Sequence, residues 1–219
     1  MSGSRLQDLY QTLLDHFGPQ RWWPGDTTLE IVVGAVLTQN TNWRNVSLAL
    51  AQLKQEELLS LDGLLALPVA QLAALIRPAG YYNIKAQRLK NLLTLLAEEI
   101  ADSGSLEEFF SQDLFSVRSK LLSVKGIGPE TADSILLYAA RKPIFVVDAY
   151  TYRFLSRHGL VAEESSYEEM QELFMSALPP EADLYNEYHA LLVCLGKEFC
   201  KKSNPRCQEC PLQDDLPGA

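Results

Sequence analysis

The sequence predicts an all-α protein, and three observations carry that reading. Nearly every segment of the 219 residues repeats apolar side chains at the three-and-four spacing of an amphipathic helix. Glycine and proline punctuate the intervals, at Pro24-Gly25, Pro68, Pro78-Ala79-Gly80, Ser103-Gly104, Gly126-Ile127-Gly128 and Pro179-Pro180. Ile144-Phe145-Val146-Val147 is rich in β-branched residues; a short strand is open to it, and an extended linker is the expectation.

Taken in order, Leu6–Phe17 shows helical spacing from the start. Leu29–Leu37 is apolar all round and reads as buried, whereas Val46–Leu53 is amphipathic. Leu58–Leu67 and Val69–Ile76 flank Pro68, and Ile84–Ile100 is the longest and most strongly periodic run. Leu106–Phe110 and Leu114–Val124 follow. Pro129–Ala140 starts with proline at the first helical position, where its fixed φ fits and its missing N–H costs nothing. Ala149–His158, Tyr167–Ala177 and Glu181–Gly196 complete the set.

Composition excludes several classes. The chain is 47% hydrophobic and 21% charged, enough for a core in one domain or two intimate lobes. Four cysteines without a signal peptide argue against a disulfide scaffold. Nothing approaches the length and apolarity of a membrane span, and Met1-Ser-Gly-Ser resembles no targeting segment, so a cytoplasmic protein is expected. The net charge of −9 is unusual for a nucleic-acid binder. The acid is uneven, however: residues 163–187 contain no Lys or Arg. Basic residues gather at Arg77, Lys85, Arg88 and Lys90, at Arg118, Lys120 and Lys125, and at Lys197, Lys201, Lys202 and Arg206. These read either as one basic face or as ordinary solvated helix faces.

Residues 121–148 carry the most chemistry. Gly126 and Gly128 allow a tight turn and close approach of another molecule. The helix beginning at Pro129 then points unpaired amides outward, which suits a phosphate. Amides around Gly126, Gly128 and Glu130 are the candidate contacts, with a monovalent cation bridging carbonyls as a further option, and Lys125 beside the turn is a candidate phosphate contact. A hydrophobic run then delivers Asp148, which reads both as a helix cap and as a catalytic carboxylate.

The run Leu121-Leu-Ser-Val-Lys-Gly-Ile-Gly-Pro-Glu-Thr-Ala-Asp with Val146-Val-Asp148 resembles the helix-hairpin-helix and Gly-Pro-Asp signature of the endonuclease III superfamily of DNA glycosylases. Leu37-Thr-Gln39-Asn-Thr41, Gly80-Tyr-Tyr-Asn-Ile-Lys-Ala86 and Cys200-x6-Cys207-x2-Cys210 resemble further blocks of that family, in the family order, over roughly residues 5–216. The resemblance implies a two-lobed fold: a six-helix barrel with the hairpin over 28–141, and a second helical lobe of 1–27 plus 142–219 with a C-terminal cysteine loop. It implies double-stranded DNA as partner, a flipped nucleotide in a cleft between the lobes, and no membrane; a monomer is expected.

Residue roles follow from the same likeness. Asp148 would stabilise an oxocarbenium-like sugar and orient water. Gln39 would fill the space left by the flipped nucleotide, Tyr81 would press into the opposite strand, and Asn83 and Lys85 would order their loop and touch phosphate. Family members that also cut the strand carry lysine two residues after the second hairpin glycine; Glu130 stands there and cannot form an imine. Water would then be the nucleophile and an abasic site the product. Trp22-Trp23-Pro24 and Trp43 resemble the pocket of endonuclease III-like 3-methyladenine DNA glycosylases, where an indole face attracts a cationic alkylated purine; core packing is the other use of these rings. An oxidised-pyrimidine glycosylase with lyase activity, or a non-catalytic DNA-binding module, are the alternatives.

Cys200, Cys207 and Cys210 match three of the four positions of the family's iron–sulfur loop; the fourth is Leu216. A 4Fe–4S cluster completed by Asp214 or Asp215, zinc, or a loop without metal all remain open. Cys194 reads as a core thiol, and His158 and His189 are given no catalytic role.

Overall fold

A computed structural model describes residues 2–22 and 25–217. Twelve α-helices are present among the described residues, and no strand. The chain divides into two compact units, Met1–Trp22 with Lys142–Ala219, and Trp23–Arg141.

The second of these contains eight helices: α2 Thr28–Leu37, α3 Trp43–Gln55, α4 Leu61–Ala66, α5 Val69–Leu75, α6 Tyr82–Ser103, α7 Leu106–Ser111, α8 Leu114–Ser123 and α9 Pro129–Ser134. α2 is its centre: Val32, Val33, Val36 and Leu37 are wholly buried, and the helix packs on α3, α6 and the chain after α9. α6 turns one stripe, Leu89, Leu92, Leu93 and Leu96, into this core, at the spacing of a single helix face. Side-chain caps fix several starts. Thr27 accepts from the Glu30 amide, Asn42 from Asn45, Ser60 from Gly63, Ser105 from Glu108 and Asp113 from Ser116. The Asn42 cap begins α3 at Trp43, before the apolar periodicity does, and the Ser60 cap begins α4 at Leu61, after it.

The run expected as one helix over Pro129–Ala140 is α9 followed by a π-helical turn, Ile135–Ala139, with the Ala140 amide reaching Ile135. Such a wider turn has no pattern in apolar spacing that distinguishes it from an α-helix over so short a stretch.

The other unit contains α1 Ser2–Phe17, α10 Ala149–Arg157, α11 Tyr167–Ala177 and α12 Ala182–Glu198. Leu6, Leu9 and Leu13 of α1 meet α11 and α12. Tyr188 on α12 donates its hydroxyl to the Leu6 carbonyl at 2.9 Å, which satisfies a buried phenol. Ile144–Val147 is buried and lies in neither helix nor strand, and Phe145 stacks on Phe174 with centroids 3.9 Å apart. α10 packs tightly on α12 because Gly196 lacks a side chain: a Cβ there would lie 2.1 Å from the Tyr150 ring. That close approach carries Asp148, at the head of α10, toward the middle of α12.

Candidate active site

The glycine hairpin is braced from α2 and α6. Gly126 has φ +100°, a conformation glycine adopts without cost, and a Cβ there would lie 2.4 Å from Cγ of Arg88. Arg88 donates to Gln39 Oε1 at 2.6 Å. The Gln39 amide nitrogen in turn donates to the Gly126 carbonyl at 3.2 Å and to the Thr131 hydroxyl at 2.9 Å. Gln39 thus ties the end of α2 to both sides of the turn. Its amide is engaged at both ends, so filling a vacated space in DNA requires that these bonds be given up.

α8 and α9, the helices on either side of the hairpin, are locked together underneath. Asp133 is wholly buried and receives two bonds from Arg118, at 2.7 and 3.0 Å. Above this pair, Lys125, Gly128 and Glu130 are exposed, while Gly126 is half-buried. The first turn of α9 has no preceding carbonyls to satisfy its amides, so the geometry suits an anionic oxygen at this exposed end.

Tyr81 and Asn83 are exposed at the start of α6. Tyr81 is 69% exposed and sits at φ +46°, directly after Gly80 at φ +68°. A bulky residue in the left-handed region stores strain, which persists only where surrounding contacts impose it. Lys85 imposes it here: its ammonium donates to the carbonyls of Leu37 and Ala79, at 2.8 and 2.7 Å. Burial, with Arg88 nearby, pushes the Lys85 amine down to about 8. Lys85 is 1% exposed with its ammonium turned to two carbonyls, so the expected contact with phosphate is closed to it. Trp43, at the first turn of α3, is half-buried with its ring against Gly34 of α2.

Asp148 is in the other unit and caps α10. One carboxylate oxygen accepts from the Tyr150 amide at 2.9 Å, the Thr151 amide at 2.8 Å and the Thr151 hydroxyl at 3.0 Å. The other oxygen lies 3.6 Å from Nε2 of His189 on α12, beyond hydrogen-bond range but close enough for ion pairing. Burial is the largest influence on this carboxyl and would raise it. The charge of His189 and the cap bonds outweigh burial and hold the group below the usual carboxylate range. Its side chain is 15% exposed. Asp148 is therefore a cap and, through one oxygen, an anion within reach of a ligand.

Trp22 is half-buried, and its ring is stacked on a face of the His189 imidazole, with centroids 5.9 Å apart and planes 11° from parallel. Trp23 and Pro24 lie outside the described residues. Sequence reasoning gave His189 no role. It is 41 residues beyond Asp148 on a separate helix, and no local spacing links the two (189 − 148 = 41).

Cys200, Cys207, Cys210 and Leu216 line one pocket together with Arg157, His158 and Phe199. Cys194 is elsewhere on α12, with its thiol toward the Gln20 side-chain oxygen at 3.1 Å. Arg157 donates to the Cys200 sulfur at 3.2 Å, and burial with neighbouring sulfurs raises the Cys210 thiol. Among the described residues no three His, Cys, Asp or Glu donors converge as a single metal ion requires. Thiols spread around a pocket fit a multi-iron cluster, with Leu216 facing it where a fourth thiol would stand. Asp215 is withdrawn as a substitute ligand: it takes two bonds from Arg5, both at 2.8 Å, and one contact with His158 Nδ1 at 2.6 Å. His158, given no role from the sequence, is a partner of Asp215 here. Asp214 is exposed.

Comparison with known proteins converges on one group. The model of the HhH-GPD superfamily of base excision DNA repair proteins matches residues 33–180. A protein of Methanocaldococcus jannaschii, provisionally named a DNA repair glycosylase, is 46% identical over 95% of this chain and 94% of its own length. Endonuclease III of Sulfolobus acidocaldarius is 30% identical over 84% of this chain and 78% of its own. Among solved structures, the H. pylori 3-methyladenine DNA glycosylase MagIII, bound to 1,N6-ethenoadenine, superposes with a TM-score of 0.75 at 33% identity, covering 90% of this chain and 97% of that one. A non-covalent endonuclease III–DNA complex gives a TM-score of 0.82 at 21% identity, over 99% and 95%, a likeness of fold.

Proposed function

We propose a function for a chain that belongs to the HhH-GPD superfamily of base excision DNA repair proteins: a monofunctional DNA glycosylase that removes alkylated purines of the 3-methyladenine type. The observation that carries this reading is Asp148, a carboxylate kept ionised with one oxygen satisfied by the cap and the other open. An N-glycosidic bond breaks with positive charge growing on the sugar, and a fixed anion lowers that barrier. The bonding pair leaves with the base, water adds its oxygen to the anomeric carbon, and its proton passes to the open Asp148 oxygen. The product is an abasic site.

The grip on DNA falls to the other unit. The exposed hairpin amides and Lys125 receive phosphate, while Gln39, Arg88 and Thr131 hold the turn in shape. Exposed, strained Tyr81 supplies a stacking ring. Glu130 takes the place of the imine-forming lysine, which supports hydrolysis without strand cleavage. Trp22, stacked on His189 in the unit that carries Asp148, supplies an electron-rich face for a cationic base, and the named activity of the MagIII relative supports that choice of lesion.

The three thiols around one pocket support a resident 4Fe–4S cluster, held by Cys200, Cys207 and Cys210. Its contribution there is structural. It would order the loop bearing exposed Lys201, Lys202 and Arg206.

The test is product analysis on duplex DNA methylated with dimethyl sulfate and, in parallel, on duplex DNA carrying oxidised pyrimidines. Free methylpurine with unbroken strands is expected from the first and nothing from the second. Strand nicks trapped by borohydride would replace this reading with a lyase; DNA binding without base release would replace it with a scaffold.

A further inference from the structure

We infer that His189 is the positioning residue for Asp148, so that the carboxylate is set from two sides: the α10 cap bonds one oxygen and the His189 ring stands against the other. This rests on the glycosylase reading above. The ring is 4% exposed and sits in the middle of α12, in contact with two elements from elsewhere in the sequence. One is Asp148, 3.6 Å from Nε2. The other is Trp22, whose indole lies nearly parallel to the imidazole. The indole limits tilting of the ring, the α12 backbone limits its depth, and the nitrogen edge is left toward the carboxylate.

Geometry gives this arrangement a purpose. Three donors on one oxygen hold the Asp148 head group by a single corner, about which it can still turn. The working oxygen is the one that such turning moves. A ring nitrogen facing it opposes the turn, and Trp22 holds that ring. The aromatic face offered to the base and the carboxylate offered to the sugar are thereby joined through one side chain, and disorder at either is transmitted to the other.

The experiment compares His189→Leu and His189→Gln with the wild-type protein. Leucine fills the space with no nitrogen; the glutamine amide reaches the position of Nε2. Single-turnover base release is measured on dimethyl sulfate-treated duplex, affinity on a duplex with a tetrahydrofuran abasic analogue, and folding by thermal melting. His189→Leu is expected to release base on the order of 10- to 100-fold more slowly, as misplacement of a reacting group by about 1 Å costs. Affinity should stay within about twofold, because DNA grip lies in other residues. His189→Gln should recover to within about threefold of the wild type, since it returns a polar nitrogen to the same reach. A His189→Leu protein as fast as the wild type would overturn the inference while leaving the glycosylase reading intact. Folded Leu and Gln variants that are equally slow would also overturn it, since bulk would then matter and the nitrogen would not. A wild-type protein that releases no base would remove both.

Discussion

Asp133 and Asp148 are both carboxylates set beside helical backbone, and the contrast between them separates a structural acid from a catalytic one. Asp133 is wholly buried, and both of its oxygens take bonds from Arg118, at 2.7 and 3.0 Å. Asp148 has three donors on one oxygen and a histidine at 3.6 Å from the other. Burial and charge are similar in kind; what differs is whether an acceptor is left over. A spent carboxylate can only hold the hairpin helices together, whereas a half-spent one can face a growing positive charge.

That contrast breaks most visibly on the Asp133 side. Asp133→Ala removes both bonds that Arg118 makes to this buried carboxylate, and because Arg118 retains 18% exposure the expected loss is about 2–4 kcal/mol, near or below the low end of the range for breaking buried pairs. Urea unfolding measures it, and a loss under about 0.5 kcal/mol, the size of an ordinary surface change, would show that the pair does not hold the hairpin. Gly126→Ala comes next. It places a side chain at φ +100° and against Arg88, so about 1–3 kcal/mol of stability is expected to go, along with affinity for duplex DNA. Unchanged affinity in a gel-shift titration would dissociate the Arg88–Gln39 brace from DNA binding.

Acid sharpens the comparison at smaller scale. The folded protein holds Asp148 and Asp215 below their ordinary range, Asp148 against the opposing pull of burial and Asp215 likewise through Arg5 and His158. A depressed carboxyl gives stability that is complete above its unfolded value, about 3.9, and is lost as pH falls through the folded value. Stability curves of Asp148→Asn and Asp215→Asn should therefore be flatter than the wild type below about pH 4, and Asp215→Asn should differ again where His158, its partner, titrates. Asn is also a good cap, so Asp148→Asn should keep the start of α10 while losing, at neutral pH, the stability that the charge of Asp148 contributes. The smallest effect belongs to Cys194→Ser: iron content of the purified protein should be unchanged, while Cys207→Ser lowers it. Equal iron in both would remove the cluster from the cysteine pocket.

Much of this was legible in the sequence because it is local. The apolar periodicity of α1, α6 and α12, the Gly126-Ile127-Gly128 turn and the capping character of Asp148 all depend on neighbours within a few residues. What was hidden depends on distant partners. Arg88 is 49 residues from Gln39, Arg5 is 210 from Asp215, and His189 has no spacing that points to Asp148. Lys85 misled for the same reason: a lysine in a basic cluster reads as solvated, and only the fold shows its ammonium turned inward to two carbonyls. The π turn after α9 escaped because one wider turn leaves the apolar pattern almost unchanged.

The central claim is that the charge of the open Asp148 oxygen drives base release. The direct measurement is single-turnover release of methylpurine by wild-type and Asp148→Asn protein on one dimethyl sulfate-treated duplex, with affinity for that duplex measured on the same samples. The account predicts a fall of about 10³-fold or more, the scale of losing an electrostatic stabiliser of a charged transition state, with affinity nearly unchanged and the protein still folded. An Asp148→Asn protein that releases base at the wild-type rate would contradict it.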